Sequence, residues 1–407
     1  MRLPSLTVIL LIGLGLRVLW AMLIPVDPVS DSAAYHKFAT TLVEHGVYGF
    51  SADVPGAYWA VGPAALYAGA YKVFGIGGLG VVVVNLISSL IAIWGLWDLG
   101  RRWYGETAGR ISALLFALWP MLIQFTTVLA SELHFIALSL LAVMAWDRAR
   151  GMASARFWVF TVLSGLALAG ATYVRPIALL IPAALAIAAF LSAPKTSLGP
   201  ILKAAVTTVI VFACVAPWSD RNERVLGERV FMSTNFWSNF WMGNHPGTNG
   251  EYAILPPESD NLSELERSRV LKEISLGHLR DDPAGFVTRT LWKSFRLYQR
   301  ETIGITWNEK RITERFGAGV PGPLKLASTA WWYAVLAAGL AGAVVLARRR
   351  GLWQALLAPP VWLWLYVTGV HAVIVVGDRY HMPATPWIAL LAGLALASLL
   401  ETRDRKL

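Results

Sequence analysis

The chain has 407 residues, of which 56% are hydrophobic and only 15% charged, with a mean hydropathy of +0.54. Soluble domains carry roughly a quarter charged residues, so this balance excludes one and indicates an all-α polytopic membrane protein. The formal charge of +10 does not imply a nucleic-acid partner, because Lys and Arg gather at the ends of apolar runs, as the positive-inside bias requires.

The first apolar run, about Ser5 to Ile24, lacks a small-residue cleavage site and reads as a retained span. Arg17 interrupts it. An arginine inside a span costs about 2.5–3.5 kcal/mol on insertion scales. Two readings stand: snorkelling to the interface, or an ion pair to a loop acid or a phosphate. A long polar, aromatic, Gly- and Pro-rich stretch follows over residues 25–78, with Asp31 beside the expected bilayer surface. Leu79–Leu99 spans back to Arg101, Arg102 and Arg110. Ile111–Ala130 and Leu133–Trp146 are joined by a tight turn at Ser131-Glu132 and end at Arg148, Arg150 and Arg156. Phe157–Tyr173 turns at Arg175-Pro176 into Ile177–Leu191, which returns to Lys195 and Lys203, and Ala204–Ala216 leads out again.

The long polar segment that follows reads as a small outer-face domain. Ser263 with Glu266 forms a capping box opening a helix to about Leu279. Asp282-Pro283 starts a second helix, with Phe286, Leu291, Phe295 and Tyr298 expected on one face and the membrane surface as its expected support. The closing runs are Ala327–Leu346, Trp353–Val376 and Trp387–Leu400, with Arg348, Arg349 and Arg350 between the first two and Arg403, Arg405 and Lys406 at the end. The expected organisation is a membrane module over residues 1–216, an outer domain over 217–326 and C-terminal spans over 327–407. It totals about ten spans with both termini cytoplasmic. Strict alternation then puts the basic short loops on one side and Asp27, Asp31, Asp53, Glu132, Arg175 and Asp378 on the other.

The first loop resembles that of the GT-C superfamily, in particular polyprenyl-phosphate-sugar transferases related to protein mannosyltransferases and aminoarabinose transferases. Asp31/Tyr35, Gly46/Tyr48, Tyr58-Trp59-Ala60-Val61-Gly62-Pro63 and Phe74-Gly75 stand in the places of that family's loop elements. Ser131-Glu132, Arg175-Pro176, Pro217-Trp218 with Arg221-Asn222, Gly243-Asn244 and Arg379-Tyr380 with Pro383 follow in the family's order. The acid is not doubled into adjacent Asp-Glu, so acceptor identity does not carry over. The resemblance implies a GT-C fold in a bacterial inner or plasma membrane. It also implies inverting hexosyl or pentosyl transfer, at the outer face, from a polyprenyl-phosphate-linked sugar donor to a hydroxyl of a lipid, glycan or protein acceptor.

Such transfer needs a base for the acceptor hydroxyl and cations for the departing phosphate. Asp31 is the candidate base and also the expected N-cap of a helix over Ser32–Glu44, with Asp27 as fallback. Glu132 is either a helix-terminal acid or a second active-site acid. Arg379 and Arg175 are the candidate phosphate ligands, with Tyr380 beside them; arginine's planar fork pairs two phosphate oxygens. For Arg379 the plainer reading is an interfacial anchor. Tyr35, Tyr58, Trp59, Asn244, His245 and His381 are substrate-binding candidates, and Lys72 is a weaker one. His134 is a structural histidine or a metal ligand; no spacing demands a metal, a divalent cation stays open, and no other cofactor is expected. No inner loop is long enough for a Gly-rich nucleotide-sugar site, so a lipid-borne donor is expected. The alternative function is a transporter or flippase of lipid-linked saccharide, which calls for ionisable groups near the bilayer midplane.

Overall fold

The computed structural model describes residues 3–192 and 198–404. Lys195, Arg405 and Lys406 lie outside them. In chain order the helices begin with α1 (Leu6–Leu23), α2 (Asp31–His45), α3 (Val61–Phe74), α4 (Gly78–Tyr104), α5 (Glu106–Ala117) and α6 (Pro120–Gln124). They continue with α7 (Glu132–Arg148), α8 (Ala155–Val174), α9 (Ile181–Ser192), α10 (Leu198–Leu226), α11 (Phe236–Asn244) and α12 (Glu264–Asp281). The last are α13 (Pro283–Arg296), α14 (Ile303–Phe316), α15 (Pro321–Arg350), α16 (Leu352–Leu356), α17 (Pro359–Val373) and α18 (Thr385–Asp404). Two short antiparallel strands, β1 (Gly49–Ser51) and β2 (Val54–Pro55), lie inside the first loop.

Among the described residues, α1, α4, α8, α10, α15 and residues 382–401 are long and apolar enough to cross a bilayer. The sequence run ending near Ala130 is not one straight span. It breaks at Leu118-Trp119, and its halves are bent by 55°. α7, α9 and α17 are shorter apolar helices. α10 continues through Pro217 to Leu226, past the point where the polar segment was expected to begin. α18 is the central helix, packed against α15, α5 and α4. It approaches α15 so closely that a methyl group on Gly342 would strike the backbone of Leu391; small residues let membrane helices meet at backbone distance.

The break between α5 and α6 explains Arg17. Interrupting a helix leaves its last carbonyls without partners, a cost that water cannot relieve inside a membrane. Arg17 is fully buried and donates to Ala117 O at 3.0 Å, Phe116 O at 3.3 Å and, on its own helix, Gly13 O at 3.1 Å. It neither snorkels nor meets an acid. Instead it closes the end of α5.

The outer segment folds as its caps predict. Ser263 and Glu266 make the reciprocal capping box of α12, and Asp282 caps α13 through the Gly285 N–H. The expected single apolar face of α13 is divided. Val287, Leu291, Trp292 and Phe295 are exposed together, whereas Phe286 packs on Phe240, and Tyr298 packs beyond the helix against Trp332. Near its other edge the segment grips the first loop. Glu264 accepts from the Ala57 N–H at 3.0 Å, and Arg221 donates to Gly56 O at 2.7 Å and Tyr48 O at 3.0 Å.

Candidate active site

Four helix ends bring four charged side chains to one cleft. Asp31 is the first residue of α2, not its N-cap; that place falls to Ser30, whose side chain caps nothing. Ser30 has φ 52° and ψ −130°, a region nearly reserved for glycine and costing of order 1–3 kcal/mol. The strained residue thus sits directly before the acid. Glu132 opens α7, Arg175 follows α8, and Arg379 lies between α17 and the turn Met382–Ala384.

Arg379 is the hub. It donates to Asp31 and lies 3.6 Å from Glu132 Oε1, while Arg175 donates to the same Glu132 oxygen at 3.4 Å. The guanidinium lies over the rings of Trp307, 4.7 Å away, and Tyr380, 5.4 Å away. Arg175 faces the Tyr380 ring at 5.6 Å. Burial alone would lower the Arg379 pKa, but the Glu132 and Asp31 carboxylates hold it well above its ordinary value. Burial, and then Asp31, push the Tyr35 phenol up, so it stays a hydrogen-bond donor. Side-chain exposure separates the two acids: 31% for Asp31 and 0% for Glu132. Of the two, only Asp31 can be reached by an incoming hydroxyl.

The cleft has a cavity volume of about 150 Å³, and its walls include Asp31, Tyr35, Trp59, Arg175, Arg379 and Tyr380. The other candidates lie elsewhere. Tyr58 packs edge-on against Trp59 behind the wall. The Asn244 amide donates to Phe240 O, Val373 O and Ile374 O, and its oxygen accepts from buried Lys293 at 2.8 Å. It therefore fixes the segment leading to Arg379. His245 stacks on Trp241, 4.3 Å between centroids, at the surface of the outer segment. His381 is buried under the Arg379 turn, 2.9 Å from Glu301, whose carboxylate also accepts from Trp119. Burial pushes the Glu301 carboxyl up, opposed by His381. Lys72 is exposed at the end of α3 and forms no part of the cleft wall. Asp27 ties the first loop to α14, 3.0 Å from Arg311 and 3.4 Å from Lys310. His134 is a core residue, 2.7 Å from Ser88 and 3.1 Å from Tyr67.

Sequence reasoning missed Trp307, His371 and the pair Asn235 and Asn239. The two asparagines are one helical turn apart and both line the cleft, a spacing open to reading in advance. Trp307 carries no such signal among nineteen tryptophans. A divalent cation does not fit this donor set. Asp31 and Glu132 face guanidinium groups, and among the described residues no three His, Cys, Asp or Glu side chains converge as a metal-binding group. A cation between these acids would have to displace Arg379 from both.

Residues 60–219 match the family model described as dolichyl-phosphate-mannose-protein mannosyltransferase. Among curated proteins none matches the chain. The archaeal oligosaccharyltransferase AglB from Archaeoglobus fulgidus, solved with an inhibitory peptide and a dolichol-phosphate, is similar at TM-score 0.56 and 16% identity, covering 98% of this chain and 50% of that one. Its apo form gives 0.57 and 13%, with the same coverage of 98% and 50%. ArnT from Cupriavidus metallidurans, bound to undecaprenyl phosphate, gives 0.49 and 13%, covering 98% of this chain and 79% of its own. The chain thus spans about half the length of the oligosaccharyltransferase.

Proposed function

The chain has the GT-C fold, and on that premise we propose that it is an integral membrane glycosyltransferase acting at the outer face. It moves a sugar from a polyprenyl-phosphate donor to an acceptor hydroxyl, on a lipid, glycan or protein. The observation that carries this reading is the set Asp31, Arg379 and Arg175 on the wall of one aromatic-lined cleft, with buried Glu132 pairing both arginines behind it. The protein-mannosyltransferase model over residues 60–219 supports it, as does the dolichol-phosphate held by the oligosaccharyltransferase. A transporter needs a spare ionisable group in mid-membrane; the buried arginine of α1 places both terminal guanidinium nitrogens on backbone carbonyls of α1 and α5.

In the resting site Arg379 and Arg175 together balance Asp31 and Glu132. A donor phosphate entering the cleft takes the forks of Arg379 and Arg175, which frees Asp31 from its ion pair. Asp31 Oδ2 then accepts the acceptor's hydroxyl proton as that oxygen bonds to the anomeric carbon. The bond from that carbon to the phosphate oxygen breaks on the opposite side, and the electron pair leaves with polyprenyl phosphate, so the configuration inverts. Glu132, shielded from solvent, keeps the two guanidinium groups side by side, where charge on the leaving phosphate develops. Stacking on Trp307 and Tyr380 fixes the plane of Arg379 before the donor arrives.

The test is release of free polyprenyl phosphate, followed by mass spectrometry with purified protein and a panel of polyprenyl-phosphate sugars. At least one donor is expected to be consumed by the wild type in the presence of an acceptor. Asp31→Asn is expected to consume it at least about 1,000-fold more slowly, the scale on which single catalytic groups act. Wild-type turnover by that variant would remove Asp31 from the chemistry.

A further inference from the structure

α7 carries the cleft at its first residue and a second cavity at its other end. Its 17 residues separate the two by about 25 Å, at 1.5 Å rise per residue, close to the thickness of a bilayer's hydrocarbon core. α17 makes the same connection in reverse, from Pro359 at the second cavity to His371 at the cleft. The walls of the second cavity include Trp103, Trp146, Asp147, Arg150, Lys203 and Pro359.

The charges around it do not balance. Arg102 forks onto Asp147 Oδ2 at 2.6 and 3.0 Å and already neutralises that acid, and Trp103 donates to its other oxygen. Arg150 reaches the same Asp147 with most of its side chain exposed. Lys203 makes no ion pair among the described residues: its ammonium donates to Trp146 O at 3.2 Å and Ala149 O at 3.3 Å, and lies 4.4 Å from the Trp146 ring centre. One half-buried ammonium and one exposed guanidinium therefore remain without a full counter-charge. α17 starts here with Pro359 and Pro360, leaving the positive end of its dipole at the cavity.

We propose that this cavity binds the phosphate headgroup of an anionic phospholipid from the leaflet opposite the cleft. Its depth along α7 and its two tryptophans place it at a headgroup interface. Basic pockets between membrane helices take such headgroups. A lipid fits better than free phosphate because an apolar groove between the same α9 and α17, walled by Ala184, Ile187 and Trp362, starts within about a turn of the cavity and offers a path for an acyl chain. This site stands apart from the glycosyltransferase reading and does not depend on it.

Native mass spectrometry of the purified protein, relipidated with phosphatidylglycerol or with phosphatidylcholine, tests it. The wild type is expected to retain at least one phosphatidylglycerol under activation that strips phosphatidylcholine. Lys203→Met is expected to lower that retention at least fivefold, and Lys203→Arg to preserve it. Arg150→Gln, at an exposed position that folding tolerates, is expected to lower retention at least twofold even where Lys203→Met fails to fold. Equal retention of the two lipids by the wild type, or wild-type retention by Arg150→Gln, would overturn the proposal. Displacement of the lipid by millimolar inorganic phosphate, with phosphate itself retained, would also overturn it and assign the cavity to the free anion.

Discussion

Arg17 and Arg379 are both buried arginines, and they are held in opposite ways. Arg17 meets only backbone carbonyls, two at the α5–α6 break and one on its own helix. Arg379, on the wall of an open cleft, meets one exposed and one buried carboxylate and is steadied by aromatic faces. The first arrangement is closed, since its acceptors are fixed parts of the chain. The second exchanges partners easily, because a phosphate can replace a carboxylate on the same fork. A buried arginine therefore announces a site only through what it faces.

The largest expected effect is on chemistry. Asp31→Asn should lower turnover at least about 1,000-fold while leaving the thermal midpoint close to wild type, read by product formation and by a melting scan. Next is Arg379→Ala, expected to cut activity by about 100- to 1,000-fold, mostly through weaker donor binding. Lys72→Ala should stay within about threefold of wild type by the same standard; equal losses in the two would take Arg379 out of the site. Arg17→Met should do the reverse of Arg379→Ala. Each carbonyl left bare costs about 1–3 kcal/mol, so the yield of folded protein and its melting temperature fall, while activity per folded molecule stays within about twofold. An Arg17→Met protein that is fully stable but inactive would collapse the contrast between the two arginines.

The smallest effect concerns pH. Burial, helped by Arg289, pushes the Lys293 ammonium down to about 7, from an unfolded value of about 10.4. Between these values the unfolded chain binds more protons than the folded one, so this group makes stability rise as pH increases from 7 towards 10. Lys293→Met should flatten that slope, measured as the difference in melting temperature between pH 7 and pH 9. An unchanged slope would mean that Lys293 is hydrated in solution.

Much of the fold was legible because bilayer thickness imposes the length of an apolar run. The Asp31, Glu132, Arg175 and Arg379 positions could be read because each is a charged residue at the end of an apolar run. The expected GT-C architecture is the one the structure has. What was not legible depends on tertiary partners. Pro120 alone did not reveal that the run through it breaks, so Arg17 had no visible acceptors. Asn244 and His381 resemble ligands in sequence, yet Asn244 bonds Lys293 and the Val373 carbonyl and His381 Nε2 faces Glu301, each distant along the chain. The strained backbone at Ser30, directly before α2, also escaped notice, since it leaves no compositional mark.

The most direct test sets Asp31→Asn beside Arg379→Ala in one titration of a polyprenyl-phosphate sugar that the wild type consumes, with protein held in lipid nanodiscs. The proposed base and the proposed phosphate ligand should separate binding from chemistry. Asp31→Asn is predicted to bind the donor within about threefold of wild type and fail to turn it over, and Arg379→Ala to lose at least about tenfold in affinity. Two variants with the same affinity for the donor, or an Asp31→Asn protein that cannot bind it, would contradict the division of labour on which the account rests.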